Sequence, residues 1–216
     1  MSIHHLLRHI RIAALLGIVT AAVGGGVVYL GQRNADSPNS GATKSTGEAL
    51  IHATFSLLDE NGQTVNEKSF GNRPMLVYFG YTFCPDVCPT ELQTISDALD
   101  ILGDDAGRIS PLFITIDPAR DTVPVMRGYV ANFHPAIRGL SGSAEQIRRA
   151  AHAFRVYFSR AGDSSGDDYL MDHSSFVYLM DTSGRYVAHF SPDTTPEEIA
   201  ARIRRLLDET DQAEES

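Results

Sequence analysis

The sequence predicts an α/β domain in which strands and helices alternate. Two continuous apolar runs, at 75–79 and 111–116, are typical of strands that a sheet buries on both faces. Segments with apolar residues every three or four positions come after these runs, as amphipathic helices require. Two glycine-containing turns, at 59–62 and 182–184, each join a pair of strand-like segments. The chain therefore has the pattern of one mixed α/β domain.

The first half of this domain begins with a β-hairpin at 53–58 and 63–65, whose turn contains Asn61 and Gly62. The strand at 75–79 follows. Pro89 then suits the first position of a helix, which makes Cys88 its expected cap. The strand at 111–116 and a helix near 123–133 come next. The inward stripe of the first helix consists of Leu92, Ile95, Leu99 and Leu102.

The second half begins with a capping box, Ser143 and Gln146, which predicts the start of a third helix. Strands at 174–180 and 186–190 follow, and a last helix begins at Pro196 behind another capping box. A strand, helix and strand followed by a β-hairpin and a closing helix is the order of the thioredoxin fold. We therefore predict a thioredoxin-like domain over residues 49–207.

The N-terminal region predicts a membrane anchor. Residues 1–11 form a short leading segment, and residues 12–30 carry no charge, which corresponds to about 28 Å of helix. We predict an uncleaved signal anchor at 12–31, followed by a flexible tether at 32–48 that is rich in small polar residues. A cleaved signal peptide is the alternative, because three consecutive glycines weaken the helix and Thr-Ala-Ala at 20–22 resembles a cleavage site.

The charges indicate where the domain lies and what it does not bind. Arginines, histidines and the terminal amine before the anchor favour an N-terminus inside the cell. The domain would then be periplasmic, attached to the inner (cytoplasmic) membrane by a single pass. The net charge of -9 excludes nucleic acid as a partner, because a backbone of phosphates requires a basic surface. Residues 208–216 are predicted to be an acidic tail.

The chain has two cysteines, Cys84 and Cys88, in the loop between the first buried strand and its helix. With no other thiol available, this CxxxC pair forms a metal site, a redox pair, or both. An inert disulfide is the alternative, but so small a ring contributes only about 2 kcal/mol to a domain with an adequate core. A thiolate at Cys88 would feel the positive end of the helix, which predicts a lowered pKa there.

His173 is the candidate third ligand. The thioredoxin order brings the residue before the strand at 174–180 over the cysteine loop, where thioredoxins usually carry a cis-proline. Two thiolates and one imidazole form a soft set of three ligands that suits Cu(I). A surface histidine with no role is the alternative. His134, His152 and His189 are predicted to be solvent-exposed or structural, and Met171 is a weaker candidate whose alternative role is packing.

Three motifs in this order resemble the signature of Sco/SenC proteins. They are Tyr-Thr-Phe-Cys-Pro-Asp-Val-Cys-Pro at 81–89, Phe-Ile-Thr-Ile-Asp-Pro-Ala-Arg-Asp-Thr at 113–122, and Asp-His-Ser at 172–174. Sco/SenC proteins are membrane-tethered copper chaperones that assemble the binuclear copper (CuA) centre of cytochrome c oxidase. The resemblance implies a thioredoxin fold with an inserted hairpin and one copper ion per chain, as Cu(I), Cu(II) or both. Its implied ligands are Cys84, Cys88 and His173.

The resemblance also implies further site residues and partners. Asp117, Arg120 and Asp121 would lie near the metal, although an ion-pair turn that caps the next helix is the alternative. Asp86 would tune the copper or contact a partner. The expected partners are the copper-bearing oxidase subunit and either another copper carrier or a thiol reductant. Two other functions stay open: a thiol–disulfide oxidoreductase that reduces the cysteines of the oxidase copper site, and a redox or copper sensor.

Overall fold

The structure, a computed structural model, describes residues 51–162 and 168–214. The predicted segments 1–11 and 12–31 and the tether at 32–48 lie outside the described residues. Within the described ranges, no helix combines the length and apolar character that crossing a membrane requires. The domain from residue 49 onward separates from the N-terminal region as a compact unit.

A mixed five-stranded sheet forms the centre of the domain. Its strands are β3 (Met75–Gly80), β4 (Ser110–Thr115), β5 (Arg138–Leu140), β8 (Val177–Met180) and β9 (Tyr186–Phe190). They lie in the order β5-β4-β3-β8-β9. Strand β3 pairs in parallel with β4 and antiparallel with β8, while β4 and β5 are parallel and β8 and β9 antiparallel. Every residue of β3 and β4 is buried, as their continuous apolar runs predict.

Two short antiparallel pairs lie outside this sheet. Strands β1 (Ser56–Leu58) and β2 (Thr64–Asn66) form the predicted first hairpin, although β1 is shorter than expected. Strands β6 (Phe158–Arg160) and β7 (Met171–His173) form the second pair, which we call the β6–β7 pair. The strand predicted at 174–180 is therefore shorter than expected, because β8 begins at Val177 and residues 174–176 link it to β7 without belonging to either strand.

Four α-helices accompany the strands in the described part of the chain. They are α1 (Val87–Leu102), α2 (Val123–Val130), α3 (Ala144–Ala153) and α4 (Pro196–Glu214). Helices α1 and α4 pack against each other. Capping boxes open α3 and α4 as predicted, through Ser143 with Gln146 and through Thr195 with Glu198. Helix α2 ends at Val130, short of the predicted 133.

Two helix boundaries differ from the predictions, namely the start of α1 and the end of α4. Helix α1 begins at Val87 with Asp86 as its cap, so Cys88 is a helical residue of the first turn and not the cap. Pro89 is tolerated at the third helical position because the first N–H groups of a helix have no intrahelical acceptor in any case. At the other end, residues 208–214 continue α4 instead of forming a separate acidic tail, and Asp211 pairs with Arg108.

Gly80, the last residue of β3, permits close packing behind the cysteine loop. A Cβ atom at Gly80 would lie 2.8 Å from Cys88 Sγ, 2.9 Å from Phe113 Cε2 and 3.2 Å from Tyr78 Cε1. All three of these neighbours are fully buried. The strand can therefore lie against the first turn of α1 only if position 80 has no side chain.

We expect Gly80→Ala to lower the free energy of unfolding by about 1–3 kcal/mol, because the added methyl group overpacks a buried site. Urea unfolding followed by circular dichroism measures this change. The control is Gly128→Ala in α2, where a Cβ meets nothing within 4 Å and the helix favours alanine. Equal stability of the two variants would contradict the packing argument.

Candidate metal centre

The cysteine loop connects β3 to α1, and a buried carboxylate holds it in place. Asp121 accepts hydrogen bonds from the backbone N–H of Thr82 at 3.0 Å and from its hydroxyl at 2.6 Å. The hydroxyl of Thr115, at the end of β4, donates to the same carboxylate at 2.6 Å. Burial raises the pKa of Asp121, and these hydrogen bonds oppose that effect. The loop is thereby attached to the adjacent strand of the central sheet.

The two cysteines meet at the start of α1. The backbone N–H of Cys88 donates to Cys84 Sγ at 3.4 Å, so the sulfur occupies the position of a helix-capping acceptor. Asp86, the formal cap residue, makes no side-chain hydrogen bond to the helix. Cys88 is fully buried, Cys84 is partly exposed, and both are free thiols. Cys84 is therefore the sulfur that an incoming partner reaches first.

The environment separates the acidities of the two thiols. A hydrogen bond from Cys88, together with two backbone N–H groups, lowers the pKa of Cys84 to about 5. The hydrogen bond to Cys84 and burial raise the pKa of Cys88 well above that of an ordinary thiol. The prediction of a lowered pKa at Cys88 is thus wrong, because the helix end acts on Cys84, whose sulfur lies in front of it, while Cys88 is buried within the first turn.

His173 reaches this loop from the β6–β7 pair. Its Nε2 lies 3.6 Å from Cys88 Sγ, although the two residues are 85 positions apart in the chain. Its Nδ1 lies 3.0 Å from the carbonyl oxygen of Ser174. A carbonyl can only accept, so we assign the ring proton to Nδ1. The lone pair of Nε2 therefore faces the cysteines, as a metal ligand oriented by a backbone carbonyl would.

The spacing of these donors fits a shared metal ion. Thiolate and imidazole ligands at about 2.3 and 2.0 Å from one ion, the values for zinc, lie about 3.7 Å apart in a trigonal arrangement. The observed 3.6 Å between Cys88 Sγ and His173 Nε2 matches this separation. In the described ranges, however, no three His, Cys, Asp or Glu side chains form a complete metal-binding group. Cys84 would therefore have to adjust if these three residues held one ion.

Two tyrosines surround the imidazole, and sequence reasoning did not single them out. The edges of Tyr78 and Tyr81 approach the His173 ring with centroids at 6.2 and 6.1 Å. The Tyr81 hydroxyl also accepts a hydrogen bond from the backbone N–H of Met171 at 3.2 Å. The Met171 side chain is partly buried against the core, in agreement with its packing alternative.

The Asp-Pro-Ala-Arg-Asp segment after β4 lies beside the cysteine loop. Asp117 and Arg120 form an ion pair, and the Arg120 guanidinium lies 4.7 Å from the centre of the Phe83 ring, next to Cys84. The ion pair does not cap α2, whose cap is Thr122 with no side-chain hydrogen bond. Asp86 is exposed, and its carbonyl accepts from Thr90. These positions agree with the near-site expectation, while the roles stay proposals.

Glu91, one turn after Cys88, is a buried carboxyl that sequence reasoning missed. Burial raises its pKa to about 7, and within the described residues its Oε1 has no hydrogen-bond partner. The sequence does contain a signal of this burial. Glu91 lies four positions before Ile95 and seven before Ala98, and residues with this spacing share one face of a helix, here the buried one. The first buried turn of α1 thus contains both a thiol and a carboxyl group.

Among the described residues, His134, His152 and His189 make no contact with the cysteines. His134 accepts a backbone hydrogen bond from Ala136 and lies 3.7 Å from Asp100, and His189 is bonded to Tyr186. His152 is exposed on α3. These contacts agree with the structural or solvent-exposed roles predicted for them.

Fold and site together define a thioredoxin-like protein that brings a CxxxC pair and a distant histidine into contact. A family model described as SCO1/SenC matches residues 43–208. A SCO2-like protein of Rickettsia felis is 37% identical over 88% of this chain and 94% of its own. The chain belongs to the SCO1/SenC family.

Solved structures agree with this assignment. The chain is similar to Bradyrhizobium japonicum ScoI with copper bound, at 44% identity and a TM-score of 0.67, over 72% of this chain and 99% of ScoI. It also shares its fold with BsSco, at 19% identity and a TM-score of 0.58, over 73% of this chain and 94% of BsSco. BsSco is described as a member of the Sco family of cytochrome c oxidase assembly proteins that has a disulfide switch.

The unequal thiols predict unequal alkylation of the reduced, metal-free chain. Because the pKa of Cys84 is about 5, its reaction with iodoacetamide should be nearly constant above pH 6 and fall tenfold per pH unit below 5. In Cys88→Ala the midpoint should move up towards about 8.5, the ordinary value for a thiol, because the main hydrogen bond is lost. Mass spectrometry of labelled peptides measures both rates. Similar rates at the two cysteines, or an unmoved midpoint in the variant, would contradict the assignment.

Proposed function

We propose that this chain is a copper chaperone that delivers one copper ion to the CuA site of cytochrome c oxidase. The contact of His173 Nε2 with Cys88 Sγ at 3.6 Å carries the proposal, because it brings a nitrogen ligand to a two-thiol loop. Family membership and the copper bound to the similar ScoI support the choice of metal. The recipient is the copper-bearing oxidase subunit, in keeping with the description of the Sco family as oxidase assembly proteins.

The three residues have different tasks in this proposal. Cys88 and His173 supply prearranged donors, while Cys84, which is more exposed than the buried Cys88, is already a thiolate near neutral pH. Two thiolates and an imidazole are soft ligands that suit Cu(I), and Cu(II) is the other state that such a site could carry. Three ligands leave a position open, so a thiolate of the recipient can enter at the exposed side and replace Cys84 first. Loading removes the proton of Cys88, so affinity rises with pH.

Thiol–disulfide exchange is the second candidate function, and the low pKa of Cys84 favours it. The Cys84 thiolate would attack a partner disulfide, form a mixed disulfide and release one partner thiolate. Cys88, after losing its proton, would then attack Cys84, release the second thiolate and leave a Cys84–Cys88 disulfide. Two electrons pass from the pair to the partner in this sequence. The recipient cysteines of the oxidase are the natural partner, and a thiol reductant would restore the pair. A redox or copper sensor is a third, less specific function.

The proposed location follows from the same partner. We infer that residues 12–31 anchor the chain in the inner membrane and that the domain lies on the periplasmic side, attached by the tether at 32–48. The uncharged segment supports the anchor. A tethered chaperone samples the membrane surface on which an integral oxidase presents its copper site.

Copper titration of the reduced full-length chain, under anaerobic conditions and with a competing Cu(I) chelator, tests the metal site. We expect one ion per chain, and binding about a hundredfold weaker or worse in Cys84→Ser, Cys88→Ser and His173→Ala, because each removes a ligand. The control is His152→Ala, an exposed histidine on α3, which should bind like the wild type.

The same variants separate the two candidate functions. A copper chaperone loses tight binding and transfer in His173→Ala, whereas a disulfide reductase keeps its exchange rate with a model disulfide because both thiols remain. Unchanged copper affinity in His173→Ala would exclude the proposed site. Loss of disulfide exchange in the same variant would count against an independent reductase function.

Expression in a Gram-negative host tests the anchor. The full chain should remain in the membrane fraction after a carbonate wash and be degraded by protease only when the outer membrane is opened. A matched chain that carries a cleavable signal peptide in place of residues 1–31 should appear in the soluble periplasmic fraction. Release of the unaltered chain by the wash, or protection of its domain in spheroplasts, would contradict the proposed topology.

A further inference from the structure

His173 belongs to an element whose backbone is not bonded to the central sheet. Its strand, β7, pairs only with β6 among the described strands, while the cysteine loop extends from β3 of the five-stranded sheet. Backbone ladders therefore do not determine the distance between imidazole and sulfur. The three-residue link from His173 to β8 restricts this distance at one end of β7, and side-chain contacts between the β6–β7 pair and the rest of the domain must restrict it elsewhere.

Tyr169 makes the largest set of such contacts. It lies two residues before β7 and is only 4% exposed. Its hydroxyl donates to Asp117 Oδ1 at 2.7 Å. The guanidinium carbons of Arg120 and Arg160 lie 3.7 and 3.9 Å from the centre of its ring. Two guanidinium groups cannot occupy one face at these distances, so the ring lies between them, where each cation contacts the electron-rich face.

The residues that hold Tyr169 are themselves fixed to the central sheet and to the cysteine loop. The backbone N–H of Asp117 donates to the Thr115 hydroxyl at 2.9 Å, at the end of β4. Arg120 pairs with Asp117 and also lies over Phe83, the neighbour of Cys84. One guanidinium group therefore contacts both the segment that leads to His173 and the loop that carries Cys84.

We propose that Tyr169 is a positioning residue that holds His173 at ligand distance from the cysteines. The proposal rests on the metal site of the proposed function. With its ring between two arginines and its hydroxyl bonded to Asp117, Tyr169 fixes the chain two residues before β7 and four residues before His173. The hydrogen bond from Met171 to Tyr81 then fixes the strand itself at a second point. Without Tyr169 the segment before β7 loses its hydrogen bond to Asp117 and its contacts with the two arginines, and the imidazole samples a wider range of distances.

Amide hydrogen exchange in the reduced, metal-free full-length chain tests the positioning directly. We expect the Met171 amide to exchange about tenfold faster in Tyr169→Phe, which loses only the hydrogen bond to Asp117, and faster still in Tyr169→Leu. The matched control is Tyr157→Phe, because the Tyr157 hydroxyl is exposed and bonds to Ser159 within β6. Unchanged exchange in Tyr169→Leu, or the same acceleration in Tyr157→Phe, would overturn the proposal.

A double-mutant cycle on Cu(I) affinity tests whether Tyr169 acts through His173. Tyr169→Leu should weaken Cu(I) binding about tenfold in the wild-type background, comparable to the loss of an outer partner of a ligand. In a His173→Ala background the same change should alter affinity less than twofold, since no imidazole remains to be positioned. Equal losses in both backgrounds would mean general destabilisation and would overturn the proposal.

The two experiments distinguish failure of the proposed function from failure of the positioning role. A wild-type chain that binds no Cu(I) would reject the proposed function, and amide exchange would still decide whether Tyr169 holds β7. Tyr169→Phe guards against misfolding, because it keeps the ring between the arginines. Circular dichroism of that variant should match the wild type while the Met171 amide exchanges faster. A variant with native exchange and native Cu(I) affinity would overturn the positioning role of the hydroxyl.

Discussion

The contact between Cys88 Sγ and His173 Nε2 joins two structural elements that are built independently. Cys88 belongs to the first turn of α1, whose position follows from β3 and from the absence of a side chain at Gly80. His173 belongs to a separate two-stranded sheet. Their approach to 3.6 Å therefore depends on side chains from β4 and its following loop, which hold both elements. Asp121 attaches the cysteine loop to that edge of the sheet, and Asp117 attaches the segment before His173.

This arrangement gives the two thiols different properties. Cys84, in front of the helix and hydrogen-bonded by Cys88, is a thiolate at neutral pH, whereas the buried Cys88 keeps its proton. Such a pair can begin a disulfide exchange at Cys84, and it can also begin to hold a soft metal ion there. The imidazole distinguishes the two chemistries, because only metal binding uses its lone pair. Its Nδ1 lies against a backbone carbonyl, so Nε2 is the ring nitrogen that faces the cysteines in the described structure.

Local patterns in the sequence predicted most of the fold, and the thioredoxin order predicted that His173 would lie close to the cysteine loop, as it does. Buried apolar runs gave β3 and β4, and capping boxes gave the starts of α3 and α4 within a residue. The predicted start of α1 was wrong because a proline is also acceptable at the third helical position, and the packing of Cys88 decides between the two. Glu91 was missed although its helical spacing from Ile95 and Ala98 signals burial. Tyr169 and Tyr81 were missed because their roles arise from long-range contacts, such as that between Tyr169 and Asp117, 52 positions apart. No period or motif in one sequence encodes such contacts.

The thiol acidities were also beyond a sequence argument, for a physical reason that bears on function. The N-terminal end of a helix favours a negative charge close to its axis, but burial opposes any charge that is cut off from water. Both sulfurs lie near the same helix end, and 0% exposure at Cys88 reverses the outcome there. A site that kept two thiolates without a metal would place like charges side by side in a buried loop. With a thiolate at Cys84 and a protonated thiol at Cys88 the loop avoids that repulsion, and only a cation makes the second deprotonation favourable. The affinity of the site is thus coupled to the charge of what it binds.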